Sequence, residues 1–326
     1  MRGATTMYFP YLRGKQFELL AIKELAPAIR ASGAVHPIIE PVRDIDAGPT
    51  LLRNLAALVE HRVACTVIIN PRVGDMRGVS KTENILTQLE PLFAANRSMR
   101  IGVLLTSEQE IRQLIAILAR ASRRYRADLI YGTAVVSEDS MRRLADLCDV
   151  DMHLAEDKNS VRRYRSLFSR PPTAILRDSF AKQKQERNQD YYPLEESIFT
   201  EDNIFFAEDG YQGFGDYQTI GEAFKEGGTM PRVVAIHLTY QRPREEAIFI
   251  RHFCSTPNGS SADTAGKYLE ALSKLVAFAN GSGLSNPALD TFRSHLDKQS
   301  FPGLGVIKKL SIQNHIHVAI GALKDA

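Results

Sequence analysis

The sequence of 326 residues has no tryptophan, only three cysteines and no long apolar run. Cys65, Cys148 and Cys254 lie far apart without a CxxC pair, so they exclude a dense disulfide framework and give no pattern for a zinc site. No stretch reaches the roughly 18 apolar residues of a membrane helix, and the first residues lack the apolar centre of a signal peptide. We therefore expect a soluble, cytoplasmic protein with no membrane contact.

The chain also has no large excess of charge of either sign. The 41 Lys and Arg residues nearly balance 38 Asp and Glu residues, which leaves a formal charge of +3. That charge is too small to predict nucleic-acid binding from the whole surface, so any basic site must be local. Hydrophobic residues form 44% of the chain, enough for a substantial core.

Short apolar runs alternate with amphipathic helical patterns along most of the chain. The runs are continuous rather than alternating, which is typical of parallel strands covered by helices. The spacing predicts eight strands followed by helices, the order of a (β/α)8 barrel. The predicted strands are 8–12, 35–42, 65–70, 100–106, 128–132, 150–154, 173–176 and 203–207, and the predicted helices are 15–30, 49–62, 81–95, 108–121, 138–147 and 159–168.

The pattern changes after the eighth predicted strand. Two apolar runs, 233–240 and 247–253, flank a polar turn and predict an antiparallel hairpin. Helices follow at 263–279 and 287–298, and a final segment lies around 308–323. We predict an α/β protein, a TIM-type barrel with an appended β-hairpin and C-terminal helices. It forms one elaborated domain over 1–326, with the core at about 7–225 and the elaboration at about 230–326.

The polar stretch 178–202 replaces a clear amphipathic helix. Long connections of this kind are often mobile segments that cover a ligand, and they are as often plain surface insertions. Both interpretations remain open from the sequence.

Charged side chains follow most of the predicted strands. The carboxyl ends of barrel strands converge on one face, so these residues define a candidate site. Carboxylates beside cations suit a phosphate-bearing ligand, with or without Mg²⁺ or Mn²⁺, although polar barrel rims also form simple ion pairs. The candidate catalytic residues are Glu40, Asp178, Asp209 and His237; the candidate ligand-binding residues are Arg13, Lys15, Asn70, Arg177, Asp216 and Tyr217; the candidate metal ligands are Glu40, Asp178, Glu208 and Asp209.

The segment 208–217 combines three carboxylates, three glycines and three aromatic residues after the last predicted strand. Glycines allow the backbone to approach a ligand closely, and barrels often bind phosphate near this position, although a tight connecting loop has the same composition. His237 and His252 face each other across the predicted hairpin, either as an acid/base pair or as core residues. His315 and His317 alternate as on a strand and are left outside the site.

Three basic tracts, 122–126, 161–165 and 182–187, offer local positive charge. Arginine interleaved with tyrosine suits phosphate contacts and base stacking, but it is also common on solvated helix faces. The sequence has no nucleotide cofactor motif, P-loop, GxSxG elbow, HExxH motif or EF-hand loop.

Five segments carry a family resemblance: MYFPYLRGKQFELLAIKEL, IIEPV, GFGDYQTIG, AIHLTY and FPGLGVIKKLSI. Together they resemble the bacterial and phage beta protein family over almost the whole chain. The resemblance implies a barrel-like fold encoded in bacterial genomes and mobile elements, often beside a nuclease and in phage-defence settings. It implies no established reaction and no catalytic residues.

Two hypotheses follow from these patterns. The first is a barrel that binds or hydrolyses a phosphate-containing ligand, such as a phosphodiester or a nucleic acid, with Arg13, Lys15 and Arg177 neutralising phosphate charge. The second is a catalytically silent adaptor that binds a partner protein such as a nuclease through the 178–202 stretch and the hairpin.

Overall fold

A closed barrel of eight parallel strands forms the first part of this protein, as seen in a computed structural model. The structure describes residues 6–168, 171–180, 191, 194–227, 231–257 and 259–324. The barrel strands are β1 Met7–Leu12, β2 Ile38–Ile39, β3 Thr66–Ile68, β4 Arg100–Leu105, β5 Tyr125–Tyr131, β6 Cys148–Ala155, β7 Thr173–Arg177 and β9 Gly213–Asp216, whereas β8 Glu196–Thr200 belongs to a second sheet. The strand order around the barrel is β1-β2-β3-β4-β5-β6-β7-β9. The predicted (β/α)8 architecture is therefore confirmed.

Helices follow the barrel strands close to the predicted positions. The hydroxyl of Ser107 accepts the N–H of Glu110 and begins one helix, and the carboxylate of Asp157 begins another in the same way. The longer helices bury an apolar face, as α4 Glu108–Leu118 does with Ile111, Leu114 and Leu118. The helices are α1 Gln16–Ser32, α2 Thr50–Glu60, α3 Thr82–Ala95, α4 Glu108–Leu118, α5 Glu138–Leu147, α6 Lys158–Arg162 and the short α7 Asp202–Phe205.

The prediction of the eighth strand at 203–207 is wrong. Those residues form α7 and the turn after it, and the barrel closes through β9, which pairs with both β1 and β7. The reason is the close approach of β9 to Phe9 on β1. A Cβ atom added at Gly215 would lie 2.9 Å from the Cβ of Phe9, so this strand needs glycine where its composition resembles a loop.

The barrel interior also depends on a glycine in β4. Thr66 on β3 donates a hydrogen bond to Asp128 on β5, although β4 lies between these two strands. Two short side chains reach each other across an intervening strand only on the concave side of a sheet, so both point into the barrel. Gly102 lies between them and leaves the space that they fill.

We expect Gly102→Ala to lower the free energy of unfolding by about 1–3 kcal/mol, because the interior has no room for another methyl group. The added Cβ would lie 2.8 Å from Cγ1 of Ile68 and 3.0 Å from Cγ2 of Thr66. Gly321→Ala is the control, since nothing lies within 4 Å of its added Cβ and alanine favours the helix. Urea unfolding followed by circular dichroism measures both. Equal stabilities for the two variants would contradict the expectation.

A second sheet has three antiparallel strands. The predicted hairpin is confirmed as β10 Ala235–Gln241 and β11 Ile248–Cys254, and β8 Glu196–Thr200 adds the third strand, in the order β10-β11-β8. Three long helices continue the chain, and Tyr268, Leu272 and Phe292 lie at the centre of the core that they form with the hairpin. These helices are α8 Thr264–Gly281, α9 Pro287–Asp297 and α10 Leu304–Ala322.

His315 and His317 lie in α10, so the strand-like alternation predicted for them is wrong. Buried residues surround most of this helix, which removes the polar face that normally identifies a helix in a sequence. His315 is buried, and its Nδ1 lies 2.9 Å from the hydroxyl oxygen of Thr239 on β10.

The chain divides into two compact units. The first contains Met1–Arg177 and Phe205–Asp216, and the second contains Asp178–Ile204 and Tyr217–Ala326. The single domain expected over 1–326 stays a prediction. Much of the 178–202 stretch, from 181 to 190 and at 192–193, lies outside the described residues, so its covering role stays a prediction too.

Across the described ranges, none of the helices combines the length and apolar character needed to span a membrane.

Candidate functional site

A buried ion pair lies at the carboxyl ends of β1 and β2. The guanidinium of Arg13 contacts the Oε2 atom of Glu40, and the two side chains are 5% and 0% exposed. The Tyr11 hydroxyl donates to the same oxygen at 2.7 Å, and the Arg72 backbone N–H donates to Oε1 at 2.7 Å. Both oxygens of Glu40 therefore accept hydrogen bonds from the chain itself. This arrangement fixes the loops after β1, β2 and β3 to one carboxylate.

Two further residues of the predicted site also contact backbone atoms at this end. Asn70 exchanges two hydrogen bonds with Leu104, accepting its N–H at 2.9 Å and donating to its carbonyl at 2.8 Å. Lys15 begins α1, where its carbonyl accepts the N–H of Leu19. Both residues follow strands, as the sequence predicts, and the hydrogen bonds of Asn70 to Leu104 are structural contacts.

Asp216 and Arg177 are neighbours at the ends of β9 and β7. The Tyr8 hydroxyl donates to Oδ1 of Asp216 at 2.8 Å, and Asp216 is only 1% exposed. Registered residues of parallel strands point to the same side of the sheet, so Arg177 and Asp216 share a side. Their predicted role in ligand binding stays a prediction.

Glu208 and Asp209 lie at the other end of the barrel. Both precede β9, and the N–H of nearby Gln212 donates to the carbonyl of Thr173, the first residue of β7. They are exposed on the amino-terminal side, whereas Glu40 follows its strand at the carboxyl side. The misplaced eighth strand is the reason for the difference, because it put these two carboxylates after a strand instead of before one.

The remaining predicted residues belong to the second unit. Asp178 accepts the N–H groups of Phe180 at 3.2 Å and Glu222 at 2.8 Å, and Tyr217 belongs to the same unit. His237 and His252 are directly opposite in the hairpin, with their Nδ1 atoms 2.7 Å apart. Burial lowers the pKa of His237 to about 3, assisted by His252, and burial lowers the pKa of His252 to about 4.

No group of three or more His, Cys, Asp or Glu side chains is arranged to hold a metal ion in the described part of the chain. The proposed ligand set of Glu40, Asp178, Glu208 and Asp209 is divided between the two units and between the two ends of the barrel. All three cysteines are buried and none forms a disulfide bond, and burial raises the pKa of the Cys65 thiol to about 12.

A chain of polar contacts runs through the amino-terminal end of the barrel. His36 Nε2 lies 2.7 Å from the Thr66 hydroxyl, which donates to Asp128. Arg100 forms ion pairs with both Asp128, at 2.9 Å, and Asp151, at 3.3 Å, and so connects these two carboxylates. Burial lowers the pKa of His36 and raises the pKa of Asp128, because burial disfavours the charged form of each group.

This chain of contacts ends at a cavity of about 300 Å³. Asp151 binds two nitrogens of Arg126 at 2.8 and 2.9 Å, and Arg126 lines the cavity. The lining residues come from the last turn of α3, from the loop between α3 and β4, and from the residues just before and at the start of β5, so the cavity lies at the amino-terminal end of the barrel. Four of them are arginines: Arg97, Arg123, Arg124 and Arg126.

Three of these arginines have carboxylate partners. Arg123 binds Glu90 at 2.9 Å, Arg124 binds Asp149 at 2.6 Å, and Arg126 binds Asp151. Arg97 is exposed, and its guanidinium has no hydrogen bond or ion pair within the described ranges. Four positive charges against three negative ones leave one net positive charge around the cavity. The sequence signal for this cavity is the tract 122–126, but nothing local in the sequence shows that Arg97 joins it.

The fold defines the protein as a (β/α)8 barrel with an added sheet and helices. No protein-family model matches the sequence, and no curated protein matches it. Among solved structures, the chain is similar to N-acetylneuraminate lyase from Mycoplasma synoviae, with 12% identity, a TM-score of 0.39, and 67% of this chain and 70% of that chain covered. The chain is also similar to a Thermobaculum terrenum O-GlcNAc hydrolase mutant, with 10% identity, a TM-score of 0.37, and 66% of this chain and 55% of that chain covered. For tryptophan synthase from M. tuberculosis the identity is 12% and the TM-score is 0.35, with 65% of this chain and 83% of that chain covered. The architecture is established by the strand order, and these similarities assign no activity.

Proposed function

We propose that this protein is a cytoplasmic binding protein for a phosphate-containing ligand, and that the arginine-lined cavity at the amino-terminal end of the barrel is its binding site. The observation that carries the proposal is that four of the seven residues lining one cavity are arginines. Guanidinium groups bind phosphate through charge-assisted hydrogen bonds, and their planar donor geometry matches phosphate oxygens.

Preorganisation supports the same function. Arg124 donates to Asp149 and to the carbonyls of Ala145, Asp146 and Cys148, so its position is fixed before any ligand binds. Arg126 is fixed by its two hydrogen bonds to Asp151. A ligand that meets fixed donors loses less conformational entropy on binding, because the protein side chains are already ordered.

Binding is favoured over hydrolysis by the position of the cavity. Barrel enzymes carry their catalytic residues at the carboxyl ends of the strands, whereas this cavity lies at the opposite end. Metal-dependent hydrolysis with Glu40, Asp178 and Asp209 remains an alternative proposal. So do a nucleic-acid ligand, the adaptor role with a nuclease partner, and membership of the beta protein family with a place in phage defence.

We expect Arg97→Gln to weaken the binding of inorganic phosphate about tenfold, since losing one charge-assisted contact costs roughly 1.4 kcal/mol. Isothermal titration at constant ionic strength measures the affinity. Arg97 has no described ion-pair partner, so the substitution leaves the fold intact. Arg53→Gln is the matched control, because Arg53 is an exposed arginine of α2 and does not line the cavity. Equal affinity of the two variants for phosphate would reject the proposal.

Titration with Mn²⁺ tests the metal alternative. We expect no stoichiometric binding, because the ligands proposed for it do not converge within either unit. Stoichiometric Mn²⁺ binding that is lost in both Glu40→Gln and Asp178→Asn would instead support the metal-dependent site, provided that both variants retain the circular dichroism of the wild type.

A further inference from the structure

The arginine-lined cavity has a second, apolar part. Phe93, Met99 and Tyr125 line it together with the arginines, and these three residues are 3%, 4% and 7% exposed. The rings of Phe93 and Tyr125 meet edge to face, with centroids 5.5 Å apart. Phosphate alone gains nothing from an apolar wall, so the lining fits a ligand that is apolar at one end and anionic at the other.

The charge around the cavity limits how many phosphate groups the ligand carries. Glu90, Asp149 and Asp151 neutralise three of the four arginines, which leaves one net positive charge. The neighbouring pair of Arg100 and Asp128 adds no net charge. A ligand with two or more phosphate groups brings several negative charges against a single uncompensated positive one. One phosphate group therefore matches the cavity better than a polyphosphate or a nucleic-acid strand.

The volume of the cavity also indicates a small ligand. About 300 Å³ is the lower end of the usual range for ligand cavities, so the cavity takes one small molecule. Arg123 lies over the Tyr125 ring, with its Cζ 5.5 Å from the centroid. The plane of a guanidinium also stacks on an aromatic ligand, so the charged and apolar parts of the cavity are continuous at this residue.

We propose that the cavity selects a small monophosphate ester with a planar aromatic group, and not inorganic phosphate, a polyphosphate or a nucleic-acid strand. This inference rests on the proposed function and narrows its ligand class. The phosphate binds at Arg97 and Arg126, and the planar group lies against Arg123 and the apolar lining.

Phenyl phosphate is the smallest probe of this class. In isothermal titration at fixed ionic strength, we expect it to bind at least tenfold more tightly than inorganic phosphate, whereas phenol shows no binding. Pyrophosphate should bind no more tightly than inorganic phosphate, and a ten-residue oligothymidylate should bind more weakly than phenyl phosphate.

Phe93→Leu removes a ring while keeping an apolar side chain at a buried position. We expect it to reduce the preference for phenyl phosphate over inorganic phosphate to threefold or less. Phe206→Leu is the matched control and should keep the tenfold preference, because Phe206 is a buried phenylalanine of the same unit that does not line the cavity. Circular dichroism establishes that both variants are folded.

The outcomes separate the two proposals. If inorganic phosphate and phenyl phosphate bind equally, or if pyrophosphate or the oligonucleotide binds most tightly, the aromatic monophosphate class is wrong and phosphate binding stands. If none of the phosphate-bearing probes binds to the wild type, the proposed function itself is rejected.

Discussion

Arg13→Met is expected to lower the free energy of unfolding by about 3–5 kcal/mol, because it leaves a carboxylate buried without its cationic partner. Glu40 is fully buried, and among the described residues only Arg13 supplies a positive charge to its Oε2 atom. The remaining donors, the Tyr11 hydroxyl and the Arg72 N–H, are neutral dipoles and compensate for only part of the lost charge. Urea unfolding followed by far-ultraviolet circular dichroism measures the loss.

A second variant separates the buried charge from simple loss of packing. Arg13→Met/Glu40→Gln removes both charges and retains an acceptor for Tyr11, so we expect it to recover at least half of the lost stability. The exposed pair of Arg143 and Asp139 is the control, with side chains 65% and 69% exposed. Arg143→Met should cost less than about 1 kcal/mol. A loss below that value for Arg13→Met, or a double variant as unstable as the single one, would show that the buried charge is unimportant.

Lowering the pH from 7 to 5 is expected to destabilise the second unit by about 3–4 kcal/mol, with His237 and His252 each contributing about 2 kcal/mol. Their pKa values fall from an ordinary 6.5 to about 3 and about 4. Below pH 6.5 the unfolded chain therefore binds protons that the folded hairpin excludes. Stability is complete above pH 6.5 and decreases as the pH falls towards 4.

His252→Gln tests this effect directly. We expect the difference in stability between pH 7 and pH 5 to shrink by about 2 kcal/mol in this variant, whereas His61→Gln, at an exposed position, leaves it unchanged. The wild type and the variant both contain His36 and Asp128 of the barrel, so the contributions of these two groups to the pH dependence cancel in the comparison. A hydrogen bond from Ser137 lowers the pKa of Glu108 to about 2, so this residue loses its stabilising effect only below pH 4.5. Hydrogen exchange of β10 and β11 localises the change. An undiminished pH response in His252→Gln would count against the histidine pair.

Much of the fold was predictable because barrel strands and their helices are local patterns. The apolar run from Arg100 to Leu105 predicts a strand, and the amphipathic pattern that begins at Glu108 predicts a helix, each from its own residues alone. The last barrel strand, Gly213–Asp216, was not predicted. Its glycines make room for the close approach of Phe9, which lies more than 200 residues earlier in the chain, so the local sequence resembles a loop. The error moved Glu208 and Asp209 to the wrong end of the barrel and joined them to a site that they do not reach.

The sequence by itself determined the (β/α)8 order, the hairpin, the helices α8 and α9, and the positions of Arg13 and Glu40 at the ends of their strands, because each depends on periodicity and composition within a few residues. Only the tertiary structure decided what those charges do. It placed Arg13 against Glu40 in the interior, and it brought Arg97 beside the tract 122–126 to form a cavity. Burial and the pairing of charges arise from contacts between residues far apart in the chain, and such contacts have no local signature.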